Sequence, residues 1–321
     1  MSIAAFLKHW TLPVSMTVGT LAYLLFASLP GLAGAAEVFG AFFDAIYPVF
    51  MFAVLFLTFC KADFRRLRPA VWHWRVSFVQ LVLLLLQVGL VLFLELRDHP
   101  LVLAESLLVC TIAPTATAAA VVTSKLGGDL EAMTAYTFAS NLLTALYVPL
   151  LFPLLPGATT GAFLPSFARI LYKVCSVLVL PMLLAWFVKR AFPRLHRRIV
   201  AVRDLSFYLW CVSLAIVTGT TVKHIAHSDA GVPFLLLVAI GALVVCLLQF
   251  ALGRLLGRRS GAVLEAGQGL GQKNTAFAIW IAYTYLAPLS SVGPGCYILW
   301  QNIINSVELR QRERAGQLRA S

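Results

Sequence analysis

Ten apolar runs of helical length divide the chain, near residues 10 to 29, 40 to 60, 76 to 95, 101 to 123, 130 to 153, 166 to 188, 205 to 223, 232 to 254, 261 to 287 and 290 to 307. Each is close to the ~20 residues an α-helix needs to cross the hydrocarbon of a bilayer. The pattern predicts an all-α polytopic membrane protein with ten transmembrane helices. The first run, Trp10 to Leu29, is long for a signal-peptide core and contains Pro13, so it reads as a spanning helix and not a cleaved leader.

Two runs break the pattern. The ninth holds EAGQGLGQKNTAFAIW, Glu265 to Trp280, where glycines, glutamines, a lysine and an asparagine replace hydrocarbon. Gly267, Gly269 and Gly271 weaken helix, and non-helical backbone is tolerated at membrane depth only where protein or a water-filled cavity satisfies its polar groups. A break at Gly271 is expected, with a second half-helix starting near Asn274. The fourth run, CTIAPTATAAAVVTSKLGGD from Cys110 to Asp129, carries Pro114 in mid-helix. Proline there removes a backbone hydrogen bond and clashes with the preceding turn.

Pro114 and Gly271 lie about half the chain apart, each in the fourth helix of a five-helix half. An odd number of spans per half makes the second half enter from the opposite side. The expectation is two inverted repeats, residues 1–160 and 161–321, whose broken fourth and ninth helices cross at the midplane. Interrupted spans at matching positions of two halves are the best sequence pointer to a transporter's binding site.

Composition agrees with a membrane protein: 60% of the 321 residues are hydrophobic and 12% charged. The net charge of +12 does not call for nucleic acid, because the basic residues form short clusters between apolar runs. With a cytoplasmic N-terminus, one side receives Lys8, the Lys61 to Arg75 cluster, Lys125, the Lys189 to Arg203 stretch, Arg254 to Arg259 and Arg310 to Arg319. The opposite loops hold Arg97 and Lys223. This segregation predicts an even number of spans and both termini in the cytoplasm; the membrane expected is a cell membrane, the bacterial inner membrane. Trp72 and Trp74 read as interfacial aromatics, and Glu105 as a residue near a span's outer end facing water or a neighbouring dipole. The six cysteines fall in or beside apolar runs without metal spacing and read as small hydrophobes.

The chemistry concentrates at the breaks. Burying a lysine at mid-bilayer depth costs roughly 2.5 to 3.5 kcal/mol on insertion scales, which makes Lys273 a candidate functional residue; its bland alternative is to snorkel to the interface. Two half-helices starting at the midplane would present N–H groups and partial positive charge to an anion. Thr115, Thr117, Asn274 and Thr275 are the candidate substrate contacts, against a simpler role in tying helices together. Gln268 and Gln272 share a helical face, and their carbonyl oxygens suit either a monovalent cation or an interhelical hydrogen bond. Gln80, alone in an apolar run, has the same two readings.

No nucleophile with a nearby His and Asp, no metal-spaced His or Cys set and no phosphate loop is present, so an enzyme is not expected. Polarity gathered at two breaks, without a continuous stripe, favours a carrier over a channel. A sensor or receptor that transports nothing is the rival from another class.

At these residues the chain resembles the bile acid/sodium symporter family along nearly its whole length. The likeness rests on the broken fourth and ninth spans, the small-residue segment from Cys110 to Asp129, the glutamine pair Gln268 and Gln272, and the tail WQNIINS, Trp300 to Ser306. The resemblance implies a core from about 71–160 and 228–308, a panel from about 1–70 and 164–225, and alternating-access transport of small organic anions, carboxylates, with sodium.

The sequence departs from the family where sodium is held. The fourth-helix Ser-Asn pair falls on Ala119 and Ala120. In the ninth helix Glu-x-x-x-Gln-Asn becomes Gln268, Gln272 and Lys273, while Thr137 matches a sodium-site threonine. The departure implies that Lys273 supplies the charge sodium would bring, so transport is expected to be sodium-independent or proton-coupled, with the sodium-coupled symport of the family as the alternative. No cofactor is expected apart from H+ or Na+ as coupling ion, and the expected partners are an organic anion and the lipid bilayer.

Overall fold

The computed structural model describes residues 11–29, 33–63, 67–157, 162–202 and 205–320. Among them the regular structure is helical throughout: α1 Thr11–Ser28, α2 Ala33–Lys61, α3 Val71–Phe93, α4 Asp98–Ile112, α5 Ala118–Lys125, α6 Leu130–Leu151, α7 Phe163–Leu178, α8 Leu180–Ala191, α9 Pro193–Ala201, α10 Leu205–Ala226, α11 Val232–Gly257, α12 Val263–Gly271, α13 Thr275–Tyr285 and α14 Val292–Ala320. Short 3-10 turns follow α6, α11 and α13.

Among the described residues five helical segments are long and apolar enough to cross a membrane unaided: Val38–Lys61, Val71–Phe93, Leu130–Leu154, Tyr208–Ala226 and Val232–Ser260. A sixth span arises if α7 and α8, bent by 41°, count as one. This is fewer than the ten apolar runs. Two of the missing runs are each cut into short pieces, α4 with α5 and α12 with α13, so neither piece reaches spanning length, and the apolar stretch Val14–Ser28 of the first run is itself shorter than a span. The protein is a multi-pass membrane protein, all-helical where it is described.

The chain divides into two compact units, one of Met1–Ala62 with Cys175–Ala230, the other of Asp63–Val174 with Gly231–Ser321. The first unit is built on a close crossing of α1 and α10. A Cβ on Gly19 would collide with the carbonyl oxygen of Ala215, and one on Gly219 would lie 3.0 Å from the carbonyl oxygen of Gly19. Small residues let two backbones approach where lipid supplies no hydrophobic drive for association. The basic stretch is partly helical, as α9, and is pinned to the end of α2: His196 Nε2 donates to Cys60 O at 2.8 Å and Lys189 Nζ to Ala62 O at 3.0 Å.

The second unit holds both breaks. α3, α5, α6 and α12 share an apolar cluster of Trp72, Val76, Ala119, Ala120, Met133, Tyr136, Ala266 and Leu270. Trp72 therefore belongs to the core, its ring 4.9 Å from that of Tyr136, while Trp74 is exposed. The interfacial reading therefore fails for Trp72, because residues two apart on a helix point to nearly opposite sides and Trp72 faces inward. A second cluster joins Cys110, Ala242, Cys246, Phe250 and Tyr297. α11 and α12 pack through Gly253 and Gly257, which sit directly on the backbones of Ala266 and Ala262. At the turn into α6, Gly127 adopts a positive φ of 88° and Asp129 caps the helix, accepting from Glu131 N at 2.8 Å and Ala132 N at 3.0 Å.

Of the two settings expected for Glu105, water or a neighbouring dipole, the structure has the second. Glu105 is 2% exposed, and its Oε2 accepts from Ser290 Oγ at 2.6 Å and from Ala287 N at 3.1 Å. The turn between α13 and α14 folds over α4 and buries the carboxylate, a contact between distant segments that apolar patterning does not encode.

Candidate functional site: two helix breaks joined by backbone

Helix α4 ends at Ile112 and α5 begins at Ala118, so Pro114 lies in a non-helical gap. Gly271 is the last residue of α12, and the chain stays non-helical to Asn274 before α13 starts. The two gaps pair as antiparallel extended backbone, with Thr115 opposite Lys273. Ala116 N donates to Gln272 O at 2.9 Å, and Asn274 N donates to Pro114 O at 2.8 Å. The pairing answers the cost of an interrupted helix in a dry interior, since each gap supplies partners for the other's freed backbone groups.

The carbonyls at the end of α4 are then covered by side chains. Gln80 Nε2 and Lys273 Nζ both donate to Thr111 O, at 2.9 and 3.0 Å. Thr144 Oγ1 donates to Ile112 O at 3.0 Å, and Gln249 Nε2 reaches Cys110 O at 3.3 Å. At the end of α12, Tyr297 Oη donates to Gly271 O at 2.6 Å and Thr115 Oγ1 to Gly269 O at 2.7 Å. Gln301 clasps the backbone of Lys273, its Oε1 accepting from Lys273 N at 2.9 Å and its Nε2 donating to Lys273 O at 3.2 Å.

Lys273 is 1% exposed. Its ammonium points inward, to the negative end of half-helix α4, and among the described residues Thr111 O is its hydrogen-bond partner, with no carboxylate in ion-pair reach. A helix C-terminus carries about half a unit of negative charge, which offsets part of a full positive one.

The sequence-derived residues fall into three groups. Thr115 is spent on structure: besides Gly269 O, its hydroxyl lies 3.2 Å from Ser140 Oγ, which also accepts from Thr115 N at 2.8 Å. Thr137 bonds back to Met133 O of its own helix at 3.0 Å. Gln268 donates to Asn305 Oδ1 at 2.9 Å and to Glu308 Oε2 at 3.0 Å, and Glu308 in turn is ion-paired with Arg254.

A second group retains free polar atoms. Gln268 Oε1 and Gln272 Oε1 are buried without a partner among the described residues. Asn274 caps α13 by accepting from Phe277 N at 3.2 Å, which leaves its amide nitrogen available. Thr275 N donates to Lys273 O at 2.9 Å. Thr117 occupies the cap position of α5 but makes no side-chain cap. The N–H groups of α13 are thus more fully used within the protein than free half-helix termini would be, and Lys273 forms the third group alone.

Ser140, Gln249, Tyr297, Gln301, Asn305 and Glu308 complete the arrangement; of these only Gln301 and Asn305 were marked in the sequence, as part of the WQNIINS tail. Gln249, a lone glutamine in an apolar run, carries the signal that marked Gln80. Tyr297 carries none, since tyrosine is ordinary in a membrane helix.

Thr115 yields a direct test of the crossing. Thr115→Val is expected to strip the hydroxyl from Gly269 O and cost about 1 to 3 kcal/mol, seen as a lower thermal unfolding midpoint, with Thr115→Ser close to the parent protein. An unchanged midpoint for the valine variant would show that the two gaps are held by backbone alone.

A model of the SBF-like CPA transporter family matches residues 14–299. The chain belongs to that family. It is a transporter family, so a membrane transporter and not an enzyme is the class the match supports, and the likeness to bile acid/sodium symporters read from the two breaks agrees with it. Comparison with curated proteins gave no match. In this SBF-like chain the matched segment contains both breaks and Lys273.

Proposed function

We propose that this SBF-like protein carries small organic anions, carboxylates, across the bacterial inner membrane by alternating access, without sodium, with Lys273 in the place of a bound cation. The runs that the structure cuts into half-helices are then single broken spans. The chain has ten, arranged as two inverted five-helix repeats with both termini in the cytoplasm. The second unit is the transport core and the first the panel. The anion contacts are the Lys273 ammonium, the Asn274 amide and the Thr117 and Thr275 hydroxyls.

The observation that carries this reading is a fully buried ammonium at the junction of two helix breaks, with a carbonyl but, among the described residues, no carboxylate beside it. Leaving a buried charge unpaired costs several kcal/mol, and an organic anion removes that cost. The sodium-free part draws support from the fit of the residues present. Ala119 and Ala120 lie packed in the apolar cluster with Trp72 and Met133 and offer no side-chain oxygen. An ammonium near a second cation site would repel sodium at short range, more strongly in a low-dielectric interior than in water.

The sodium-coupled alternative rests on the two orphaned oxygens of Gln268 and Gln272, which are oriented as no hydrogen bond within the protein requires. Proteoliposome uptake separates the two readings. With labelled taurocholate, a large sulfonate, and labelled pyruvate, a small carboxylate, as organic-anion probes, uptake is expected to persist when choline replaces sodium on both sides. Loss of uptake in choline overturns the sodium-free reading, and no uptake of either probe under any condition favours a sensor.

A further inference from the structure

The geometry points to obligate anion exchange: the protein swaps one organic anion for another far faster than it moves an anion in one direction. This rests on the reading of Lys273 as the resident cation and goes beyond it.

A bound sodium ion leaves after each cycle, so an empty symporter returns without its cation. A lysine cannot leave. Lys273 is tethered by its own backbone, which Gln301 holds by both its amide N–H and its carbonyl. The Nζ sits on Thr111 O, and among the described residues no carboxylate is close enough to take over when the anion departs. Glu105, on the same helix, is committed to Ser290 and Ala287, and Glu308 to Arg254 and Gln268. Neither is free to swing toward the ammonium without abandoning these bonds.

The consequence follows from the occluded state that alternating access requires. With an anion aboard, the site passes through occlusion as a neutral pair. Without one, it must pass as an uncompensated buried cation, deprived of the water that either open state admits. The desolvation of such an ion is worth several kcal/mol even after relaxation, and the half-charge at the end of α4 offsets only part of it. The loaded carrier therefore reorients and the empty one stalls. Flux requires an anion on both sides.

The test uses the full-length protein in proteoliposomes, sodium-free, with the voltage clamped at zero by potassium and valinomycin. Labelled pyruvate and labelled taurocholate are offered outside. Vesicles contain either the same unlabelled anion or buffer without any organic anion. Entry into preloaded vesicles is expected to exceed entry into anion-free ones by about tenfold or more, the ratio that ~1.4 kcal/mol of barrier difference produces.

Equal rates in the two vesicle types overturn the inference. So does accumulation into anion-free vesicles driven by an imposed pH gradient, which would mean that Lys273 returns as a neutral amine. A sodium requirement for entry into preloaded vesicles overturns the sodium-free reading instead, and the exchange ratio is then measured with sodium present. No movement of either label in any arm overturns both.

Discussion

Replacing Lys273 by methionine is expected to raise the thermal stability of the unliganded protein and to abolish its stabilisation by organic anions. The two effects have opposite signs and one cause. Lys273 Nζ lies in a site 1% exposed, with a carbonyl as its partner. Exchanging buried charge for an apolar side chain of similar volume is commonly neutral or stabilising by about 1 to 4 kcal/mol. The fold should survive, because Thr111 O keeps its hydrogen bond from Gln80 Nε2 at 2.9 Å.

Anion binding, by contrast, loses its charged anchor. Truncating one partner of a buried charge pair costs about 2 to 5 kcal/mol, so affinity should fall by roughly 30-fold or more. Thermal unfolding of the detergent-purified protein, titrated with taurocholate and with pyruvate, reads both effects. A methionine variant that anions still stabilise would remove Lys273 from the site.

The second large effect concerns the frame that holds the breaks together. Gly253→Leu is expected to leave little folded protein, because a Cβ at this position already collides with the Ala266 carbonyl and crowds Gly267 Cα. Overpacking a tight interior costs about 1 to 3 kcal/mol when side chains can yield. Here the obstacle is backbone, so the cost lies at or above that range, and α12 would be pushed off α11. Gly89→Leu is the matched control: a Cβ at Gly89 meets nothing within 4 Å. Size-exclusion profiles of fluorescently tagged variants should show a monodisperse peak for Gly89→Leu and its loss for Gly253→Leu. A normal profile for Gly253→Leu would mean that α11 and α12 are farther apart than described.

How much of the site was legible depends on what kind of cause placed each residue. The positions where helices end were local matters. Proline at 114 cannot continue the hydrogen-bond ladder, and the glycines from 267 to 271 give up helical stability, so interruptions at both places follow from the residues themselves. The capping role of Asn274 was local in the same way, since its side chain reaches only three residues ahead to Phe277 N. Thr115 and Thr117 looked alike in sequence, two threonines two residues apart after one proline. Their neighbours separated them: Thr115 faces Gly269 O and Ser140, while Thr117 faces no acceptor among the described residues.

Glu105 shows the limit most plainly. A carboxylate near the end of an apolar run is as consistent with water as with burial, and what buries it is a turn more than 180 residues later, where Ser290 supplies a hydroxyl at 2.6 Å. The carboxylate of Glu308 likewise meets Gln268 through a pairing of α14 with α12 that spacing along the chain cannot reveal.

By itself the sequence determined the class of solvent, the places where two helices had to stop, and the presence of one lysine too costly to bury without purpose, because hydropathy, proline geometry and charge are properties of residues and short segments. Only the tertiary structure decided that the two gaps pair with each other, that Thr111 O receives the lysine, and that among the described residues no carboxylate stands beside it. Those outcomes depend on which segments, far apart along the chain, come within hydrogen-bonding distance, and packing alone sets that.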